Sequence, residues 1–293
     1  MLLHTPEKIF SIINRTLFVF IIVLLKCSLC FSQLKYAVSV SYTPVLNTPD
    51  YQSVFGGTSG DRIKLDKRGL IGEMEFVAFP NTVFTVLETY ENGILKVTTE
   101  DYPYKSSELF IDSRFVHITD TIPAERIKSM PDKKQVVEKL NSLENYPYMW
   151  GGNYAEGINE LLEFYKPYSD LDEDIKSKWC LKGVDCSGLL YQSTNGSTPR
   201  NTSSLINYGK GLDIENKNAE EISQMLSPLD LIVWSGHVII VLDSETVIES
   251  TPDYGVHKSN LLDRLKQVMN EKNPVNDWNS TNGDRFIVRR WID

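Results

Sequence analysis

Between residues 35 and 118 apolar and polar positions alternate in short runs: LKYAVSVSY (34–42), EFVAF (75–79), TVFTVLETY (82–90), ILKVTT (94–99) and LFIDSRFVHI (109–118). A period of two predicts half-buried strands. Gly56-Gly57, Ser59-Gly60, Pro80-Asn81 and Asn92-Gly93 punctuate them, and Asn-Gly between two alternating runs predicts a hairpin. The pattern changes after a linker at 119–131. Pro131 is expected in the first turn of a helix, where a missing N–H does no harm. Val136, Val137, Leu140 and Leu143 recur on one face of that helix. Further on, 185–194 predicts a helix that Asp185 caps and Asn195-Gly196 stops. His237 opens an unbroken apolar strand ending at Leu242, and after a bend near Asp243 the run 246–250 returns antiparallel. A helix follows, with Leu261, Leu262, Leu265, Val268 and Met269 inward and Asp263, Arg264 and Lys266 on a solvated face. Pro274 ends that stretch, and 285–291 closes the chain as a strand. The fold class this predicts is α+β, with a small β-barrel first.

The first 32 residues stand apart. Lys8 and Arg15 lead an apolar run of nine residues, Leu17 to Leu25, interrupted by Lys26. As a helix this covers roughly half a bilayer core, so 1–32 is expected to be a secretory signal peptide cleaved after Ser32, with an uncleaved anchor as the alternative. The protein is then exported, to the periplasm or cell envelope. Composition adds exclusions. A net charge of −9 over 293 residues argues against a nucleic-acid binder. Four Cys are too few for a disulfide scaffold. No cluster has metal-ligand spacing and no phosphate loop is present, so neither metal nor cofactor is expected.

Without the leader the cysteines are Cys180 and Cys186, and the histidines His117, His237 and His257. The two cysteines allow one disulfide, or one thiol kept for chemistry. Cys186 falls in the first turn of the helix capped by Asp185. Unpaired N–H groups and the helix dipole are expected to lower its pKa there, as a thiolate nucleophile needs. A buried structural Cys is the plain alternative. His237, at the mouth of a buried strand, is the candidate base; His117 lies among the β-strands and His257 in a loop-like stretch. If the bend centres on Asp243, Glu249 lies directly across from His237 and is the candidate orienting group; a solvent-facing Glu is its alternative.

These residues fall in a familiar order. Tyr148-Met149-Trp150-Gly151-Gly152, Asp185-Cys186-Ser187-Gly188, Pro199-Arg200 with Thr202 and Ser203, the stretch Leu226 to Leu231, and Gly236-His237-Val238 together resemble the NlpC/p60 cysteine peptidases of bacterial cell walls. The strand order of 33–128 more loosely resembles a bacterial SH3-like domain, with a polar insertion near 48–70. The readings together give a signal peptide (1–32), an SH3-like β-barrel (33–128) and a catalytic domain (129–293), the last papain-like as the NlpC/p60 resemblance implies. It implies hydrolysis of peptidoglycan stem peptides or muropeptides, at the bond between the D-glutamate γ-carboxyl and the following diamino acid, by a monomer. Cys186 is then the nucleophile, His237 the base, Glu249 the orienting residue and Tyr148 a helper at the oxyanion, with the Cys186 N–H as the other donor. Asp185 and Ser187 would contact the substrate's free amino end, with Glu100 or Asp101 of the barrel completing that pocket. Trp150 would line the substrate site, and Arg200 would meet a substrate carboxylate or serve structurally at a helix start. An amidase or acyltransferase on the same fold, and a wall-binding protein with no activity, are the alternatives.

The chain departs from that pattern in three ways. Residues 153–184 form a long insertion expected to rim or cover the cleft. Leu229 replaces the usual Gly before Asp230, so that turn is expected to differ. Cys180 lies six positions before Cys186 and is read as structural or redox-sensitive at most.

Overall fold

The computed structural model describes residues 35–57, 59–103, 107–279 and 283–292; the expected signal peptide lies outside them. The N-terminal half is an antiparallel sheet. Its strands are β1 (Lys35–Ser39), β2 (Thr43–Leu46), β5 (Met74–Ala78), β6 (Val83–Thr89), β7 (Ile94–Thr98), β8 (Leu109–Asp112) and β9 (Val116–Thr119), in the order β5-β2-β8-β7-β6-β1-β9. A short helix α1 (Tyr51–Val54) and the small hairpin β3 (Phe55–Gly56) and β4 (Arg62–Ile63) are inserted before β5. Gly93 turns β6 into β7 with φ +81°, as Asn-Gly predicts. The run 109–118 is two strands, because Ser113–Phe115 forms a 3-10 turn capped by Asp112.

Residues 122–132 are neither helix nor strand. Arg126 pins this linker by donating to Asp101 on one side and to the carbonyls of Asn195 and Gly196 on the other. The helix α2 (Lys133–Ser142) starts later than Pro131 predicts, because Asp132 and Gln135 close a capping box. Its buried face is Val136 and Leu140.

The insertion differs from its expectation. It contains β10 (Asn153–Tyr154), α3 (Glu160–Phe164), α4 (Glu173–Trp179) and β11 (Gly183–Val184). Ile158, Leu161, Tyr165, Trp179 and Leu181 pack into one apolar cluster with Leu46, Tyr51, Val54, Phe55 and Met74 of the N-terminal half. Trp179 is fully buried. The insertion is apolar because it seals one sheet. Asn153 adds a polar stitch: its side-chain amide exchanges two 2.8 Å hydrogen bonds with the Val77 backbone.

The C-terminal half is a second sheet between two helical layers. Helices α5 (Cys186–Ser193) and α6 (Thr202–Leu205), strand β12 (Lys210–Gly211) and helix α7 (Ala219–Met225) lead into β13 (Leu231–Trp234), β14 (His237–Val241), β15 (Thr246–Thr251) and β16 (Gly255–Asn260). Helix α8 (Leu261–Glu271), β17 (Asn273–Pro274) and β18 (Arg285–Arg290) finish the chain. The order is β12-β18-β13-β14-β15-β16. Val238 and Ile240 pack with Leu189 and Leu190 of α5 on one face; Ile239 and Val241 pack with Leu265 and Val268 of α8 on the other. Both faces are covered, which is why β14 reads as an unbroken apolar run. β16 was not expected: His257 is in a strand paired with Glu249, not in a loop.

The turn at Leu229 keeps the conformation a glycine would supply. Leu229 has φ +73° and is fully buried. The left-handed backbone costs roughly 1–2 kcal/mol, while loss of a buried Leu side chain costs about 2–5 kcal/mol. Leu229→Gly is therefore expected to destabilise by about 1–3 kcal/mol in denaturant melts; a more stable variant would mean that backbone strain dominates.

Candidate active site

Asp185 caps α5, accepting from the Gly188 N–H at 2.6 Å, in an extended conformation that aims the next residue into a cleft. Gly188 lets that helix approach the chain beside it: a Cβ there would lie 1.9 Å from the Gly152 carbonyl oxygen. Cys186 is 7% exposed and free, and its Sγ lies 3.9 Å from the Gly236 carbonyl oxygen. The Val238 N–H also faces the sulfur. The thiol thus rests against the backbone on either side of His237. Thr202 Oγ1 accepts from the Gly236 N–H at 3.1 Å, tying that turn to α6.

The thiol's acidity departs from expectation. Burial, and then the negative Asp185, push the Cys186 pKa up to about 12. The Asp185 carboxylate that starts the helix takes up the Gly188 N–H and repels a thiolate beside it. A thiol raised in this way needs a base to take its proton if it is to act as a nucleophile.

The candidate base has a defined tautomer. His237 Nε2 lies 2.7 Å from Glu249 Oε2. Glu249 is 1% exposed; burial raises its pKa, but hydrogen bonds from His237 and Arg264 outweigh this and hold it at about 2 against an ordinary 4.5. An ionised carboxylate only accepts, so Nε2 carries the proton and Nδ1 is left as the basic nitrogen. Because the folded value lies below the ordinary one, the stability this network contributes is present above the ordinary carboxylate range and is lost as pH falls toward 2. The contact forms in a register other than the expected one. Ile240 pairs with Ile248 and Val241 with Val247, which sets Glu249 opposite Ile239, and His237 reaches it along the diagonal.

Arg264 was read as solvated. It donates to both Glu249 oxygens, through Nε to Oε1 at 2.6 Å and Nη2 to Oε2 at 3.0 Å.

Arg200 and Asp185, read as substrate contacts or, for Arg200, as structural, pair with each other. Arg200 is 3% exposed. It donates to Asp185 Oδ1 at 3.0 Å and Oδ2 at 2.7 Å, to Ser187 Oγ, and to the Gly152 carbonyl at 3.4 Å. Asp185 also accepts from the Gly151 N–H and from Ser187 Oγ. This is a closed internal ion pair that joins the WGG turn to α5. No face of Arg200 is offered to a substrate carboxylate, and the charge of Asp185 is already matched.

The cleft itself has a volume of about 370 Å³. Cys186, Ser187 and Asp185 line it, with Tyr148, Trp150 and Asn201 from the C-terminal half and Met74, Glu75 and Tyr102 from the N-terminal half. None of 153–184 lines it. Tyr148 is held by a bridge to Val184. Burial, with Asp185 and Cys186 nearby, raises its pKa, so its hydroxyl keeps a proton to donate. Trp150 is 38% exposed at the rim, with the Arg68 guanidinium carbon 5.1 Å from its ring centre.

Glu75 is the acidic residue that sequence reasoning missed. Its Oε2 accepts from the Tyr102 hydroxyl at 2.9 Å and its Oε1 from Asn47 Nδ2 at 2.9 Å. Asp101, one of the two acids expected here, instead pairs with Arg126 and Lys128; neither it nor Glu100 lines the cleft. Cys180 is also free, its Sγ 3.7 Å from Asn159 Oδ1. Among the described residues no group of three or more His, Cys, Asp or Glu could hold a metal, and no helix is long and apolar enough to cross a membrane.

The chain is similar to several solved structures. An NlpC/P60 family protein from Bacillus cereus matches 89% of this chain at 13% identity and a TM-score of 0.34, and the chain spans 65% of that protein's length. NlpC2 from Trichomonas vaginalis matches 88% of this chain and 72% of its own, at 14% identity and a TM-score of 0.30. The P60 domain of an antigen from M. avium subspecies paratuberculosis matches 55% of this chain and 96% of its own, at 21% identity and a TM-score of 0.32. No protein-family model and no curated protein matches the chain.

Proposed function

We propose that this chain is an exported cysteine peptidase of the NlpC/p60 kind, with an SH3-like unit over 33–128 and a catalytic unit over 129–293, acting on peptidoglycan stem peptides. The observation that carries the reading is the buried thiol of Cys186 at a cleft, set against the Gly236 carbonyl and the Val238 N–H on either side of His237, with His237 held by an ionised carboxylate. Sulfur attacks the scissile carbonyl carbon as its proton passes to His237 Nδ1. Tyr148 and the Cys186 N–H donate to the developing oxyanion. The imidazolium returns the proton to the leaving amine as the C–N bond breaks. Water, deprotonated by His237, then releases the acid and the thiol.

The favoured bond is the one between γ-D-glutamate and the diamino acid of a short peptide with a free amino end. Glu75 supports this reading: it is the cleft carboxylate outside the Asp185–Arg200 pair, and an ammonium group entering the cleft needs such a partner. Incubating the protein with L-Ala-γ-D-Glu-diamino acid peptides and weighing the products tests the reading. Release of L-Ala-D-Glu supports it; transfer to an added amine without hydrolysis, or no turnover, overturns it. Glu75→Gln is expected to raise KM for the free peptide about tenfold or more while leaving the N-acetylated peptide nearly unchanged. Equal effects on the two peptides would remove Glu75 from amine recognition.

A further inference from the structure

On the reading above Glu249 orients the base, and its charge is what needs explaining. A neutral acceptor would orient an imidazole equally well. A buried carboxylate carrying its full charge would hold the imidazolium tightly and slow the return of its proton to the leaving amine. Glu249 does not carry its charge alone. Arg264, the fourth residue of α8, donates to both oxygens, so Oε2 is shared between the guanidinium and His237 Nε2. The guanidinium fork fits a carboxylate in two parallel bonds, which fixes the rotamer as well as the charge. The other groups around this pair are more distant or weaker. His257 Nε2 on β16 lies 3.9 Å from Oε1. Glu271 acts on Arg264 along α8, and Gln267 meets its Nη1 at 3.4 Å. Lys272 stands over the Trp234 ring, which itself adjoins His237.

We propose that Arg264 is a positioning residue of this site: by forking both oxygens of Glu249 it cancels the acid's charge, so that His237 is oriented by an acceptor pair with no net charge. The pair then does the work of an amide while remaining locked to α8.

A double-mutant cycle on the full chain tests this, with Arg264→Met, Glu249→Gln and both together. Arg264→Met is expected to lower kcat about tenfold with little change in KM. Glu249→Gln should cost less. The double variant should recover to the level of Glu249→Gln, because no unmatched charge remains. Alkylation of Cys186 by iodoacetamide, followed at that residue by peptide mass spectrometry, gives a readout that needs no peptide substrate. In Arg264→Met the unmatched carboxylate favours the imidazolium, so alkylation of Cys186 near neutral pH should speed up while hydrolysis slows and alkylation of the equally buried Cys180 stays unchanged; structural damage would expose and speed both thiols. The double variant should return alkylation toward the wild-type rate. Arg264→Lys keeps the charge without the fork, and should leave alkylation near wild type while losing part of kcat. Single effects that simply multiply in the double variant, or alkylation unmoved in Arg264→Met, would overturn the proposal. If the wild-type protein cleaves no stem peptide, the peptidase reading fails and the alkylation series still decides the role of Arg264.

Discussion

Cys186→Ala is expected to abolish hydrolysis, with a fall of more than about a thousandfold and no loss of folding. The sulfur is expected to form the bond to the substrate, and a methyl group in its place has neither a lone pair nor an acidic proton. The side chain is small and buried, so its removal leaves only a minor void beside Gly236. His237→Ala should be nearly as damaging, because a thiol pushed up to about 12 cannot ionise at neutral pH without a proton acceptor. Cys180→Ala is the control: that thiol lies against Asn159, away from the cleft, and most activity should remain. Rates on a defined stem peptide, with circular dichroism as a check on folding, decide the matter. An active Cys186→Ala protein would refute the assignment of the nucleophile.

The largest effect on stability is expected from Arg200→Met. Arg200 and Asp185 form an ion pair with side-chain exposures of 1% and 12%. Removing one partner leaves a desolvated carboxylate without its charge partner, at a cost of about 3–5 kcal/mol. It also removes the donors that hold Ser187 and the Gly152 carbonyl. The midpoint of urea unfolding should drop accordingly, and the remaining folded protein should turn over poorly, since Asp185 sets the start of α5. A variant as stable as wild type that fails only at high KM would instead return Arg200 to a substrate-binding role.

What the sequence revealed and what it hid divides along physical lines. Strands with one buried face alternate and could be read directly, as over 94–99. The strand Thr43–Leu46 could not, because all four residues are buried and Pro44 stands among them. The helix at Cys186 was legible from its cap. The acidity of its thiol was not, because burial, which no local pattern shows, disfavours the thiolate most, and the carboxylate that marks the helix start also repels it. Glu249 was found through hairpin logic, with a register two positions away from the true one. Arg264 was missed because a helix position that reaches an acid on a neighbouring strand has the same local pattern as one that points to water. Glu75 was missed for a related reason. It sits at a polar position of an alternating strand, and only the packing of the two halves turns that position into a wall of the cleft. The cleft brings Glu75 and Cys186 together from opposite ends of a long stretch of chain, and no local pattern carries that information.

The way the 153–184 insertion seals the N-terminal sheet has a consequence for how the chain is made. Synthesis runs from the N-terminus, so Leu46, Val54, Phe55 and Ile63 emerge well before Ile158, Leu161 and Trp179, their packing partners. At about 5–20 residues per second the exposed apolar face waits several seconds for its cover. During that interval the first half of the molecule is a half-finished core, open to association with other nascent chains. A holding chaperone, or transport of the chain unfolded, would protect it until the second half arrives.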